Sequence, residues 1–149
     1  MKITGVASVS PIVSNPAAAQ GVYRDALGVP FEGSEGEYVF TERLPGVKHF
    51  GLWPLSEAAQ ACFGTEDWPG EHQVPQASVE FEVGSEEEVA AAAAELREQG
   101  VQLVHDVKRE PWGQSITRLL TPDGLLVGIC YTPWLHEGPA GQSHDEPPR

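Results

Sequence analysis

Five histidines, two cysteines, four tryptophans and a pair of glutamates one residue apart could carry chemistry in this 149-residue chain. The histidines are His49, His72, His105, His136 and His144, and no two stand in HxH or HExxH spacing. A metal held on one strand or helix needs such spacing. His72, His105, His136 and His144 read as surface or loop residues. Cys62 and Cys130 form no CxxC, so neither a zinc knuckle nor a disulfide framework is expected. Serines, histidines and aspartates fall in no nucleophile elbow, and "TPDG" is a turn rather than a phosphate cradle.

Carboxylates and indoles remain. Glu80 and Glu82 would repel each other if both were buried. A cationic ligand would relieve that, and a solvated rim would avoid it. Trp53, Trp68, Trp112 and Trp134 offer flat surfaces on which planar, cationic or aromatic molecules stack. Trp134 reads as a core or dimer contact, and Trp112 as a pocket residue.

The formal net charge is −13. Nucleic-acid phosphates demand a basic face, so no nucleic acid is expected as partner. Anionic membranes are disfavoured too, whereas cations would be concentrated at the surface. No apolar run approaches the ~20 residues that cross a bilayer. "MKITGVASVSPIV" lacks a signal peptide's long apolar segment and reads as a first strand. Together with the free thiols, this points to the cytoplasm.

Those residues need elements to position them, and the chain spells the elements twice. "ASVSPIV" followed by "SNPAAAQGVYRDALG" recurs as "ASVEFEV" followed by "GSEEEVAAAAAELREQG". In the second unit Val79, Phe81 and Val83 alternate with Ser78, Glu80 and Glu82, the period of a strand. Ser85 and Glu88 form a capping box, Val89, Ala92, Ala93 and Leu96 an apolar stripe, and Gly100 a stop. In the first unit Pro11 places the strand at an edge, a bulge or a crossover between units. A helix from Asn15 and Pro16 turns Ala19, Val22, Tyr23 and Ala26 inward and ends at Gly28. "EYVFTERL" and "VKHFGLWPL" flank Pro45-Gly46, and "QSITRLLT" and "LLVGICYT" flank Asp123-Gly124, a hairpin signal.

The expected fold is α+β: two tandem βαβββ units forming a curved sheet around a cleft. Residues 1–136 make one domain of two repeats, about 3–54 and 76–134. Residues 55–75 join them, with a short helix near Glu57 and Cys62, and 137–149 form a flexible tail.

The duplicated unit, "VYRDALGVPF" and the closing "EPWGQ…TPDGLLVGI" resemble the vicinal oxygen chelate superfamily of glyoxalases, extradiol dioxygenases and bleomycin-resistance proteins. The first-strand proline and the Pro-Trp-Gly loop look most like the metal-free bleomycin-binding branch. The resemblance puts metal ligands near Ser8, Ser78, Gly128 and Phe50. None is His or Glu, and only His49 stands beside one of them, so no metal and no cofactor are expected. What it implies is a metal-independent small-molecule binding protein, sequestering a cationic or aromatic antibiotic or metabolite. Ser8, Ser10, Phe40, His49, Trp53, Ser78, Glu80, Trp112 and Arg118 would line the site, although Arg118 reads equally as a paired strand residue. A homodimer with composite pockets, its first strands sometimes exchanged, belongs to the same expectation. The alternatives are a metal-dependent lyase, isomerase or dioxygenase using His49 and Glu80, and a domain that serves a protein partner through a filled cavity.

Overall fold

The computed structural model describes residues 1–136, so the tail expected at 137–149, with His144, lies outside the described residues. Seven strands form one curved, unclosed sheet in the order β2-β3-β1-β4-β7-β6-β5. At its centre β1 (Gly5–Val13) runs parallel to β3 (Phe50–Pro54) and antiparallel to β4 (Ala77–Glu82). The outer strands are β2 (Val39–Thr41) on one side, and β7 (Leu125–Tyr131), β6 (Ser115–Leu120) and β5 (His105–Arg109) on the other. β1 is thus where the two halves meet. Of the three places open to Pro11, the crossover is the one occupied: it pairs with Ala77 at the last rung of the β1–β4 ladder.

The second half has the expected elements. Ser85 Oγ accepts from the Glu88 amide at 3.2 Å and starts α3 (Glu86–Glu98), and Gly100 closes it at φ 83°. Val89 and Ala92 pack on Phe81, Val83 and Ile129.

The first half departs from its repeat in two ways. It lacks one strand: before β2 there is only the Glu32–Phe40 bridge. Gly-Ser-Glu-Gly at residues 33–36 has no alternating apolar residues, and Gly33 and Gly36 both take positive φ, so the chain turns there instead of extending. The first helix also changes pitch. Asn15 caps α1 (Pro16–Gln20), but Gly21–Ala26 continues as a π turn, with Leu27 N bonded to Val22 O at 3.0 Å. A five-residue bond rotates the face relative to an α-helix. Tyr23 still reaches Phe50, 6.1 Å between ring centroids, but Val22 and Ala26 point to solvent rather than inward.

The helices just described lie on the convex face. The concave face is not the open hollow expected. The connection folds back into it as α2 (Leu55–Phe63), whose Ala58, Ala61 and Cys62 pack against Trp53 and Leu126, with Ile12, Tyr38, Val104 and Leu120 around them. Small side chains let a helix lie that close to a sheet. Among the described residues no helix is long and apolar enough to cross a membrane.

Candidate functional site

Strand alternation carries Ser8, Ser10, Ser78, Glu80 and Glu82 to the concave face, where all five are buried. Pairing aligns them in a row: Ser8 opposite Glu80, Glu80 opposite Gly128, Gly128 opposite Arg118. Phe50 leaves this set, since its ring packs against Tyr23 and Phe31 on the convex side.

These residues do not fit a divalent metal. Ser8 and Ser78 offer hydroxyls, which are poor ligands for transition metals. A side chain on Gly128 would displace its neighbours: a Cβ there would lie 2.8 Å from Ile116 Cδ1 and 3.2 Å from Glu80 Cγ. His49 beside them is engaged at both nitrogens, Nδ1 with Glu42 at 3.0 Å and Nε2 with Tyr38 Oη at 2.6 Å, and it stacks on Phe40 at 5.0 Å. Among the described residues no three His, Cys, Asp or Glu side chains gather as a ligand set.

A cation stands in the trough nevertheless, and it is Arg118. The residue is wholly buried. Its Nη2 donates to Glu110 Oε2 at 2.8 Å, its Nη1 meets His105 Nε2 at 3.1 Å, and its Cζ lies 5.4 Å from the Trp53 ring centroid. His105 therefore sits in β5 facing the trough, not in a surface loop. Its Nδ1 lies 2.6 Å from the Asp106 carbonyl, which can only accept, so Nε2 is the acceptor for Arg118. Burial, with Arg118 and Lys108 nearby, lowers the His105 pKa and keeps the ring neutral, despite the opposing Asp106 carbonyl and Glu110. Burial works against charge on Arg118, but its pKa is raised, by Cys62 once that thiol ionises and by the carboxylates of Glu110 and Glu80. Cys62 itself is an inert thiol, pushed up to about 11 by burial against the pull of Arg118.

Glu110 accepts a second cation, Lys108 Nζ at 3.1 Å, and Lys108 also donates to Ala61 O near the end of α2. One carboxylate thus ties β5, β6 and α2 together.

At the other end of the trough a polar network replaces the rim considered for the glutamates. Glu82 is buried and accepts from Thr132 through its amide and its hydroxyl, the latter at 2.8 Å, and from His136 Nε2 at 2.7 Å. Gln114 Nε2 donates to Glu80 at 3.0 Å and to Thr132 Oγ1 at 2.9 Å, and its Oε1 accepts from Trp112 at 3.1 Å. The two carboxylates are satisfied from within the chain. Trp134, in the turn Pro133–Leu135, helps cover a chamber of about 10 Å³ between His49 and Glu80, room for about one water.

Beside α2 lies a cleft of about 220 Å³, one of several of similar or larger volume among the described residues, lined by Trp53, Glu57, Gln60, Ala61, Lys108, Glu110, Pro111 and Trp112. Trp112 is presented by a β-turn, with Pro111 second, Gly113 fourth and Gly113 N bonded to Glu110 O at 2.8 Å. Of the nine residues expected to line a site, this cleft contains Trp53 and Trp112; Arg118 lies behind it, touching Trp53 and Glu110. The serines, Phe40, His49 and Glu80 do not line it. Glu57, Gln60 and Ala61 were not anticipated, although their i, i+3, i+4 spacing marks one helix face. Lys108 and Glu110 alternate with Arg109, the strand signal that could have paired them with Arg118. The Glu57 carboxyl has its pKa raised, by burial first and then by Glu37, and it stands in the cleft wall as an acid that a cation would stabilise.

A family profile for the Glyoxalase-like domain matches residues 7–132. No curated protein sequence matches the chain. Solved structures of similar fold include an NAD-dependent benzaldehyde dehydrogenase from Legionella pneumophila, with TM-score 0.58 and 18% identity over 83% of this chain and 96% of that one. The Mn(II)-bound glyoxalase from Novosphingobium aromaticivorans gives 0.55 and 18%, over 87% of this chain but only 39% of that one. A glyoxalase/bleomycin resistance protein/dioxygenase superfamily member from Vibrio splendidus gives 0.50 and 20%, over 86% and 98%. At these identities the likeness is one of fold.

Proposed function

The chain belongs to the Glyoxalase-like domain family, and we propose that within it the protein is a metal-independent receptor that sequesters a cationic or aromatic small molecule, an antibiotic or a metabolite, as bleomycin-resistance proteins do. One observation carries this reading. The trough is filled by Arg118, α2 and internally satisfied carboxylates, while the cleft left beside it is walled by two indoles.

The chemistry of the cleft fits binding better than turnover. Its open surface is mainly apolar, with Trp53, Ala61, Pro111 and Trp112 supplying contact area. Lys108 shares the Glu110 carboxylate with Arg118, and Glu57 is the lining carboxylate that, among the described residues, no cation of the chain holds in an ion pair. Drug-sized pockets run from ~300 Å³ upward, so this cleft takes a single ring system or the ring-bearing end of a larger molecule. A stacked cation is worth ~2 kcal/mol once desolvated, and burial of the ring would supply the rest of the affinity. The homodimer is retained as part of the proposal, and its mass in solution tests it.

Titrating the intrinsic tryptophan fluorescence with bleomycin-like glycopeptides and with planar dyes, cationic and neutral, tests the reading. Saturable quenching is expected. Absence of quenching at micromolar ligand removes the antibiotic version. Metal analysis of protein purified without chelator tests the other half, and stoichiometric zinc, nickel or iron overturns it.

A further inference from the structure

We infer that Arg118 is the built-in cation of the trough, a positioning residue that sets two walls of the cleft from behind. It deepens the receptor reading by naming what shapes the cleft, and rests on that reading only for the cleft's use.

The argument starts from place. Arg118 stands on the rung that runs through Gly128 and Glu80 to Ser8, which holds two of the four positions, Ser8 and Gly128, that the resemblance assigns to ligands. It is held as a bound ion would be held, by a carboxylate at 2.8 Å, an imidazole nitrogen at 3.1 Å and an indole face at 5.4 Å. Its Nε is, among the described residues, a buried donor without a hydrogen-bond partner. Such a group is retained at a free-energy penalty, which argues that the rest of the guanidinium is held by strong contacts.

The second step is reach. Glu110 and Trp53 both touch Arg118 and line the cleft. Glu110 fixes Lys108, and Lys108 holds the α2 carbonyl of Ala61, itself a lining residue. Charge in the trough therefore decides where β5, α2 and the Trp53 ring stand around the ligand space. Without the cation, Glu110 would be a buried carboxylate facing Lys108 alone, with Glu80 on the same face of the sheet.

Chemical rescue tests this without any cleft ligand. Arg118→Gly leaves a space shaped for a guanidinium, and Arg118→Met keeps most of the bulk without the charge. Thermal midpoints and tryptophan emission are read in ethylguanidinium, ethylammonium and sodium chloride at equal ionic strength. Arg118→Gly is expected to melt at least about 5 °C below the wild type. Ethylguanidinium, alone of the three salts, should restore both the midpoint and the emission, and the emission change should vanish in a Trp53→Phe background. Equal recovery in all three salts, or none in any, overturns the inference. So does an Arg118→Met protein with wild-type midpoint and emission, because an apolar side chain would then serve as well. Should Arg118→Gly not fold, Arg118→Met decides alone, a lowered midpoint with shifted emission being the supporting result and any other result overturning it. A failed dye titration would leave this inference standing, and a failed rescue would leave the receptor reading standing.

Discussion

Gly128 pairs with Glu80 across the β4–β7 ladder, and a methyl group on it would meet the Glu80 side chain at 3.2 Å and Ile116 at 2.8 Å. The bare backbone at this rung is filled by its neighbours. Gly128→Ala should lower stability by about 1–3 kcal/mol, as overpacking of a close-fitted core does. Adding Ile116→Val removes the nearer contact and should recover part of the loss. Urea midpoints of the single and double variants measure it; an unchanged midpoint for Gly128→Ala would mean that β7 shifts freely.

The Glu82 network predicts an order of effects. Glu82→Ala strips Thr132 of the acceptor for its amide and hydroxyl, both in a buried setting, and should destabilise by about 3 kcal/mol. His136→Ala removes a half-exposed donor to the same carboxylate and should matter less. Denaturation of both variants checks the ranking, and the reverse ranking would refute the account of Glu82.

His105 predicts a slope with pH. Its folded pKa lies below the ordinary histidine value of 6.5, chiefly through burial, so the unfolded chain takes up a proton first. The stabilisation is complete above the unfolded value and is lost as pH falls below it toward the folded pKa. A proton on His105 would set a cation against Arg118 and Lys108, with Glu110 and Asp106 as the nearby carboxylates. The wild type should therefore lose stability as pH falls through and below about 6.5, and His105→Gln should flatten that slope. Parallel slopes in the two proteins would show that another group is responsible.

In the cleft, Trp112→Ala should weaken a planar cationic dye about tenfold, roughly 1.4 kcal/mol. Glu57→Gln should weaken the cation while sparing a neutral aromatic of the same shape. Equal losses for both probes would show that the carboxylate does not select charge.

Much of the second half is legible in the sequence because its signals are local. Ser85 and Gly100 bound α3, Asp123-Gly124 turns the last hairpin, and alternation assigns Glu80 and Glu82 to the face away from the helices. The first half is harder to read. The π turn after Gln20 shifts Val22 outward without any mark in residue type, and Gly33 and Gly36 remove a strand that duplication implies. The candidate site is less legible still. Arg118, Glu110 and His105 meet only because β5 pairs with β6 and the turn at Pro111 brings Glu110 back. That α2 would enter the trough is written in small residues, Ala58, Ala61 and Cys62, whose pattern is too short to choose a face.

The helix that joins the two repeats is also the wedge that holds them apart at a set curvature. Because α2 rests on Ile12 and Trp53 from one repeat and on Val104, Leu120 and Leu126 from the other, the core on this face is shared by both repeats. The wedge sits across the β1–β4 pairing, and Lys108 reaches it from the second repeat. Ligand space in this molecule thus belongs to the joint more than to either half.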